Sequence, residues 1–234
     1  AETFWPGPLT LVVPRGASCP VSDLASAGLP TLALRCPDHH VAQALLGEMR
    51  GPLVAPSANP SGRLSPSEAA HVAAHLPDIE VLDGGICAVG LESTIIGCLD
   101  AAPTLLRSGG IEREIIETCL GMPLSDLPKD ADSAARLAPG RMLQHYAPHA
   151  PLSMNGEIPD GDYLVLGFGP GTPANAAENL SPSGDLTEAA ANLFGCLHRL
   201  DLRAVAEGKS IVVSTVPSGG LGDAINDRLK RAAQ

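Results

Sequence analysis

Short apolar runs bounded by Gly or Pro alternate, in the first half of the chain, with longer segments of helical period. Runs of the first kind, about five residues long and rich in Val, Leu, Ile and Thr, are typical of β-strands. They predict strands at LTLVV (9–13), TLALR (31–35), PLVAP (52–56), EVLDGG (80–85), STIIGCL (93–99) and TLLRS (104–108).

Three segments between these strands have the apolar spacing of an amphipathic helix. Two of them, residues 38–51 and 111–121, end at a Gly that suits the left-handed residue after a helix. The third, residues 65–76, predicts a capping box with Ser65 as N-cap and Glu68 three residues later. Some strands follow one another too closely for a helical crossover, so we expect a partly antiparallel sheet in an α/β fold.

The pattern changes after Met122, and this change predicts the domain organisation. We assign residues 1–122 to a first α/β domain and residues 123–150, rich in Pro, Ala and Asp, to an interdomain linker. Residues 151–234 form a smaller, Rossmann-like α/β domain. Predicted strands and helices alternate within it, at 162–168, 186–204, 210–216 and 221–233.

Composition and charge narrow the class of protein. Apolar residues make up 44% of the 234 positions, and no run approaches the roughly 20 apolar residues of a membrane span. The net charge of −11 argues against stable nucleic-acid binding. We therefore expect a cytoplasmic protein that enters no membrane. The first 122 residues contain six Arg and no Lys against 13 acidic residues, which suggests local recognition of carboxylate or phosphate.

The six Cys residues form no C-x-x-C pair and show no metal-ligand spacing. Most lie in apolar segments, so we expect buried, reduced thiols. His145 and His149 have the i, i+4 spacing of zinc ligands on a helix, but Pro148 between them disfavours a continuous helix. The sequence therefore predicts no metal ligand set in the protein.

Polar residues cluster where several predicted strands end. The segment PLVAPSANPSGRLSPSE (52–68) places Ser57 and Ser65 between a strand and a helix, with Asn59 as a turn former. Ser93 precedes a strand, while Arg35 and Arg107 each end one. Such strand ends bind ligands in α/β sheets, and this set suits an anion that carries carboxylate and phosphate. Turn and capping roles remain the alternative for these residues.

No Ser–His–Asp arrangement and no pair of catalytic carboxylates accompanies this cluster. Any chemistry would therefore rely on positioning and charge neutralisation, as in nucleotidyl or phosphoryl transfer, and the catalytic residue is unknown.

Seven motifs in order resemble the threonylcarbamoyl-AMP synthase family over almost the whole chain. They read FWPGPLTLVV, LRCP, APSANPSG, GLESTII, LLRSGGI, HYAP and GLGDAINDRLKRAA. The resemblance implies a YrdC-like twisted sheet of mixed parallel and antiparallel strands, then a linker and a smaller domain. It implies that L-threonine, bicarbonate and ATP, with Mg²⁺, give threonylcarbamoyl-AMP and pyrophosphate. Downstream threonylcarbamoyl-transfer proteins would then modify tRNA.

The same resemblance assigns roles to individual residues. It implies a threonine pocket in which Arg35 grips the carboxylate, completed by Ala55 and Ser93. It implies that ATP is held by Thr31, Ser57, Ser65, Arg107 and Tyr146. Tyr146, in HYAP, would reach from the linker as a lid that excludes water from a labile mixed anhydride.

Two departures from the family pattern lead to a further expectation. The segment that normally precedes FWPGPLT, with its basic nucleotide-binding motif, is absent, and APGRMLQHYAP keeps Arg141 but lacks the other basic linker residues. We therefore expect the 234-residue chain alone to be inactive and its full-length parent to be a synthase. ATP-dependent pyrophosphate release by the isolated chain would contradict this expectation.

Two other functions are compatible with parts of the sequence. A carbamoyl-adenylate-forming enzyme of metallocentre maturation would need acylphosphatase or zinc-finger segments, which are not seen. A non-catalytic RNA- or nucleotide-binding module would need a basic stripe with interleaved aromatic residues, and the acidic first domain fits this poorly.

Overall fold

The computed structural model describes residues 1–127, 145–154 and 160–233, which form two compact units. The first unit comprises Ala1–Pro56 and Glu92–Arg141, and the second comprises Ser57–Leu91 and Met142–Gln234. Most of the predicted linker, including Arg141, lies outside the described residues. The predicted domain boundaries stay a prediction.

A five-stranded mixed sheet organises the first unit. Its strands are β1 (Leu9–Pro14), β2 (Thr31–Leu34), β3 (Thr94–Gly97), β4 (Thr104–Arg107) and β5 (Ser125–Asp126), in the order β2-β1-β3-β4-β5. Strands β1 and β2, like β3 and β4, are antiparallel, whereas β1 runs parallel to β3 and β4 parallel to β5. The predicted mixed sheet is therefore confirmed.

Alternate side chains along these strands point to opposite faces of the sheet, and the core of the first unit accordingly consists of two clusters. One cluster contains Leu9, Ile96, Ile111, Ile116 and Leu124, and the other contains Val12, Ile95 and Leu106. Neighbouring Ile95 and Ile96 fall in different clusters because successive side chains of a strand point to opposite faces. Helices α1 (His40–Met49) and α3 (Arg113–Leu120) complete the described elements of this unit, apart from turns.

The predicted strands at 52–56 and 80–85 are wrong, because the structure has no strand in either segment. Residues 52–56 are exposed, and the Pro residues at both ends cannot donate to a ladder. In the second segment the carboxylate of Asp83 accepts from the amide of Gly85 at 2.8 Å. Gly85 has φ +87°, so the chain turns where the pattern suggested extension.

Two predicted helix ends are also wrong. Helix α2 spans Ala69–His75 and begins after Glu68 rather than after Ser65, with no side-chain cap hydrogen bond. The left-handed residue after α1 is Arg50, with φ +53°, and not the following Gly. The end of α3 at Gly121, with φ +66°, is as predicted.

A four-stranded parallel sheet organises the second unit. Its strands are β6 (Leu152–Met154), β7 (Tyr163–Gly167), β8 (Glu178–Asn179) and β9 (Ser210–Val213), in the order β6-β9-β7-β8. Helices α4 (Leu186–Glu207) and α5 (Leu221–Ala232) pack with it around a core rich in Leu. The predicted strands and helices after residue 160 are confirmed, whereas β6 and β8 were not predicted.

Residues 57–91 pack in the second unit against α4. At Gly90 this segment approaches the backbone of α4 so closely that a Cβ on Gly90 would lie 2.2 Å from the carbonyl oxygen of Ala190. Gly90 also has φ +70°, so only glycine fits this crossing without strain.

The expectation of buried thiols is wrong for most of the Cys residues. All six are free, but Cys87, Cys98 and Cys119 are exposed, and Cys196 alone among the six is buried. Cys98 directly follows the buried strand β3, and Cys119 lies on the same helix as the buried Ile116, so an apolar segment does not bury every side chain that it contains. No described helix is both long and apolar enough to cross a membrane.

Candidate functional site

Strand register brings Arg35, Ser93 and Arg107 to one end of the first sheet. Leu34 pairs with Leu11, Thr94 pairs with Leu9, and Arg107 pairs with Ile95. Arg35 directly follows β2, Ser93 directly precedes β3 and Arg107 ends β4, so the three residues lie at the end of the sheet where β1 begins. The sequence pattern predicted three separate strand ends, and the register of the sheet places all three at the same edge.

Ser93 is the centre of a hydrogen-bonded cluster at this edge. Its hydroxyl lies 2.7 Å from the hydroxyl of Thr10, and its side chain is buried. The Arg107 guanidinium donates to the Ser93 carbonyl through Nη2 at 3.0 Å and through Nε at 3.3 Å. Nη2 also lies 3.4 Å from the Ser93 hydroxyl. The positively charged side chain of Arg107 is thus held against the backbone of Ser93.

The turn after β4 holds this cluster in place. Gly109 lies so close to the chain before β3 that a Cβ on it would be 2.3 Å from the Glu92 carbonyl oxygen and 2.5 Å from the Ser93 carbonyl carbon. The amide of Gly110 donates to the same Glu92 carbonyl at 2.9 Å. Thr94 accepts from the Ile111 amide at 3.0 Å and donates to its carbonyl at 2.6 Å. The RSGGI turn therefore clamps the segment that carries Ser93.

Arg35 and Ala55 are exposed, so both are open to a ligand. Thr31 lies at the other end of β2, because it pairs with Pro14 at the end of β1. At about 3.3 Å per residue, Thr31 and Arg35 are roughly 13 Å apart along the strand. The structure does not bring Thr31 to the edge that Arg35, Ser93 and Arg107 share, and its assignment to ATP stays a prediction.

Ser57, Ser65 and Tyr146 belong to the second unit. Ser57 is exposed, Ser65 is buried, and the Tyr146 side chain is only 1% exposed. The Tyr146 ring lies 5.5 Å from the Phe194 ring, and the Arg228 guanidinium carbon lies 5.5 Å from its centroid. Tyr146 is therefore a core residue of its unit in this structure, and its predicted role over the nucleotide stays a prediction.

The PSANPSGR turn and the HYAP segment are joined within the second unit. The Ala147 amide donates to the Gly62 carbonyl at 2.8 Å, and Arg63 and Ala147 form a parallel bridge. Asn59 donates to the Arg63 carbonyl at 3.0 Å, which closes the turn as expected for a turn former. Two motifs that are 85 residues apart thus form one local structure.

Thr10 and Gly109 are the site residues that the sequence reasoning missed. Thr10 is the one hydroxyl inside the apolar run LTLVV, and a buried polar residue at such a position needs a partner. Gly109 lies two residues after Arg107 in the motif LLRSGGI, and its close contact with the chain before β3 is visible only in the structure. Within the described ranges, no three His, Cys, Asp or Glu side chains converge as metal ligands do.

Comparison with known proteins identifies the class of this fold and site. A model of Sua5, YciO and YrdC proteins, described as telomere recombination, matches residues 1–109. A second model, described as the C-terminal domain of threonylcarbamoyl-AMP synthase, matches residues 111–234. These matches place the chain among the nucleotidyl-transferring α/β enzymes.

Relatives define the family more closely. The chain is 36% identical to threonylcarbamoyl-AMP synthase of Bacillus subtilis, over 99% of this chain and 71% of that protein. It is also 36% identical to threonylcarbamoyl-AMP synthase of Pyrococcus abyssi, over 100% of this chain and 72% of that protein. A crystal structure of P. abyssi Sua5 complexed with L-threonine superposes with a TM-score of 0.86 at 34% identity, covering 100% of this chain and 72% of that one. The chain belongs to the threonylcarbamoyl-AMP synthase family, which confirms the resemblance seen in its motifs.

Proposed function

We propose that the natural gene product that contains this chain is an L-threonylcarbamoyladenylate synthase. The reaction condenses L-threonine, bicarbonate and ATP to threonylcarbamoyl-AMP, with release of pyrophosphate and water. The observation that carries the proposal is the sheet edge at which Arg35, Ser93 and Arg107 meet. Family membership and the likeness to a threonine-bound relative support it.

This edge suits the chemistry because every substrate is an anion or carries a carboxylate. Arg35 is exposed beside the edge, and its planar guanidinium can bind the threonine carboxylate through two parallel hydrogen bonds. Arg107 supplies a second, fixed cation where ATP phosphates develop charge as pyrophosphate leaves. Catalysis in this proposal depends on placing the reactants and neutralising charge, without a dedicated acid or base.

Mg²⁺ enters the proposal with ATP. The ion would be held mainly by substrate phosphates and water. The product is a reactive mixed anhydride, so a separate transfer protein must accept the threonylcarbamoyl group and pass it to tRNA. The acidic first half of the chain is compatible with that division of roles.

We expect Arg35→Ala to weaken L-threonine binding about 10- to 100-fold, because a charge-assisted hydrogen bond contributes about 1.5–3 kcal/mol. ATP binding should change less than threefold. Titration calorimetry of the chain with L-threonine and with Mg-ATP measures both affinities. Threonine-dependent pyrophosphate release, measured with ATP, Mg²⁺ and bicarbonate on the natural gene product, tests the reaction itself.

The control variant is Arg203→Ala, which removes an exposed i, i+4 pair with Glu207 on α4. It should leave both affinities unchanged, because such exposed surface pairs contribute little. Equal binding of L- and D-threonine, or no threonine dependence of pyrophosphate release by the natural gene product, would contradict the proposed function.

A further inference from the structure

Two histidines stack face to face where residues 57–91 meet helix α4. The ring centroids of His71, on α2, and His198, on α4, are 3.7 Å apart with an interplanar angle of 18°. His198 Nε2 lies 3.1 Å from the carbonyl oxygen of Ser65. His71 Nδ1 lies 3.2 Å from the amide of Ser67. The stacked pair thus contacts the backbone on both sides of Pro66.

The hydrogen bonds fix the position of one proton on each ring. A carbonyl only accepts, so His198 carries its proton on Nε2. The Ser67 amide only donates, so His71 accepts on Nδ1 and carries its proton on Nε2, which lies 3.2 Å from a Glu68 carboxylate oxygen. Two neutral rings can stack at this distance, whereas two imidazolium ions would repel.

We propose that His198 is a positioning residue for nucleotide binding: it holds the Ser65 carbonyl and, by stacking on His71, fixes the start of α2. This inference rests on the proposed function and on the ATP-binding role that the family resemblance implies for Ser65. His198 lies in the region that the C-terminal family model matches, whereas Ser65 lies in the region that the other model matches. The inference therefore gives a residue of the C-terminal region a direct role in positioning Ser65.

Other charged groups face the pair from both sides. On the α2 side these are Glu68 and His75, whose ring centroid is 5.9 Å from that of His198. Helix α4 adds Arg199 and Asp201, and Asp201 is bound to the His149 ring at 2.8 Å. Burial, followed by the neighbouring His71, lowers the pKa of His198 to about 4. Burial also lowers the pKa of His71, although Glu68 opposes the shift.

The direction of these shifts predicts lower folding stability in acid. A histidine whose pKa is lowered by folding contributes stability that is complete above its unfolded pKa of about 6.5. That contribution is lost as the pH falls from there through the folded pKa, because the unfolded chain binds the proton more readily. The free energy of unfolding should therefore fall between about pH 6.5 and pH 4, while the Nε2–H donor to Ser65 is kept in both protonation states.

Two substitutions at His198 separate the contact from general packing. His198→Gln keeps a donor near the position of Nε2 but does not titrate, whereas His198→Phe keeps a ring but has no donor. We expect His198→Phe to weaken Mg-ATP binding about tenfold, the effect of one lost hydrogen bond, with L-threonine binding unchanged within twofold. His198→Gln should retain most of the ATP affinity. Calorimetry measures both ligands, and His40→Gln, on the exposed start of α1, is the control.

Amide hydrogen exchange of residues 64–72 gives a readout that needs no ligand. At neutral pH, protection should fall in His198→Phe and persist in His198→Gln, after correction for intrinsic exchange. Loss of threonine and ATP affinity together, or unchanged ATP affinity in His198→Phe, would overturn the positioning role while leaving the proposed function intact. No ATP binding by the natural gene product would contradict the proposed function, and the exchange data would then show whether His198 holds the segment.

Discussion

Replacing Arg107 by Ala is expected to lower the affinity for Mg-ATP by on the order of 100-fold and to weaken L-threonine binding as well. Arg107 makes charge-assisted hydrogen bonds to the Ser93 carbonyl and faces the edge where phosphates would lie. Its loss removes a positive charge that would face the ligand phosphates. It also removes the Arg107 hydrogen bonds to the carbonyl of the buried Ser93. Effects on both substrates are expected because one side chain serves both subsites.

The conservative variant distinguishes charge from geometry. Arg107→Lys keeps the positive charge but cannot make the forked contact with Ser93, so we expect an intermediate loss of ATP affinity and a clear loss of threonine affinity. Circular dichroism would establish that each variant is folded. An Arg107→Ala protein that binds both substrates as the native chain does would exclude this residue from the site.

Gly109→Ala is expected to destabilise the first unit by about 3 kcal/mol and to abolish threonine binding. The new Cβ would lie within 2.5 Å of backbone atoms of Ser93 and Thr94, and a backbone cannot move aside as a flexible side chain can. The chain before β3 would have to shift, which would displace Ser93 from both Thr10 and Arg107. Urea unfolding and titration with L-threonine measure the two effects.

Gly47→Ala is the matched control for this substitution. Gly47 lies in α1, where a Cβ would meet no atom within 4 Å. Ala is the better helix former, so this variant should be stabilised by about 0.5–1 kcal/mol with unchanged ligand binding. Near-native stability and threonine affinity in Gly109→Ala would show that the RSGGI turn does not clamp the site.

The sequence was most informative where a local pattern determined the structure. The strands at LTLVV and TLLRS and the long helix α4 have a clear apolar period and were predicted correctly. Arg35, Ser93 and Arg107 could be selected as residues at strand ends, but only the register shows that these ends form one edge. Register depends on pairing between distant segments, which no local pattern contains.

The incorrect predictions have a common physical cause. PLVAP has the apolar residues of a strand but no neighbouring strand with which to pair, and EVLDGG is turned by the Asp83 side chain. The capping box at Ser65 is absent because the segment is held instead by histidines of α2 and α4. In each place a contact with another part of the chain, or the lack of one, overrides local propensity.

The packing of residues 57–91 against α4 limits how the two halves of the chain can be recombined, in evolution and in engineered hybrids. The two family models divide the chain near residue 110, so the regions on either side of that point would appear to be exchangeable between relatives. The first region, however, contains Gly90, which packs directly against the backbone of α4 in the second region. A hybrid enzyme would retain this fit only if the donor of its second half matched the α4 surface, so the two halves are constrained to evolve together.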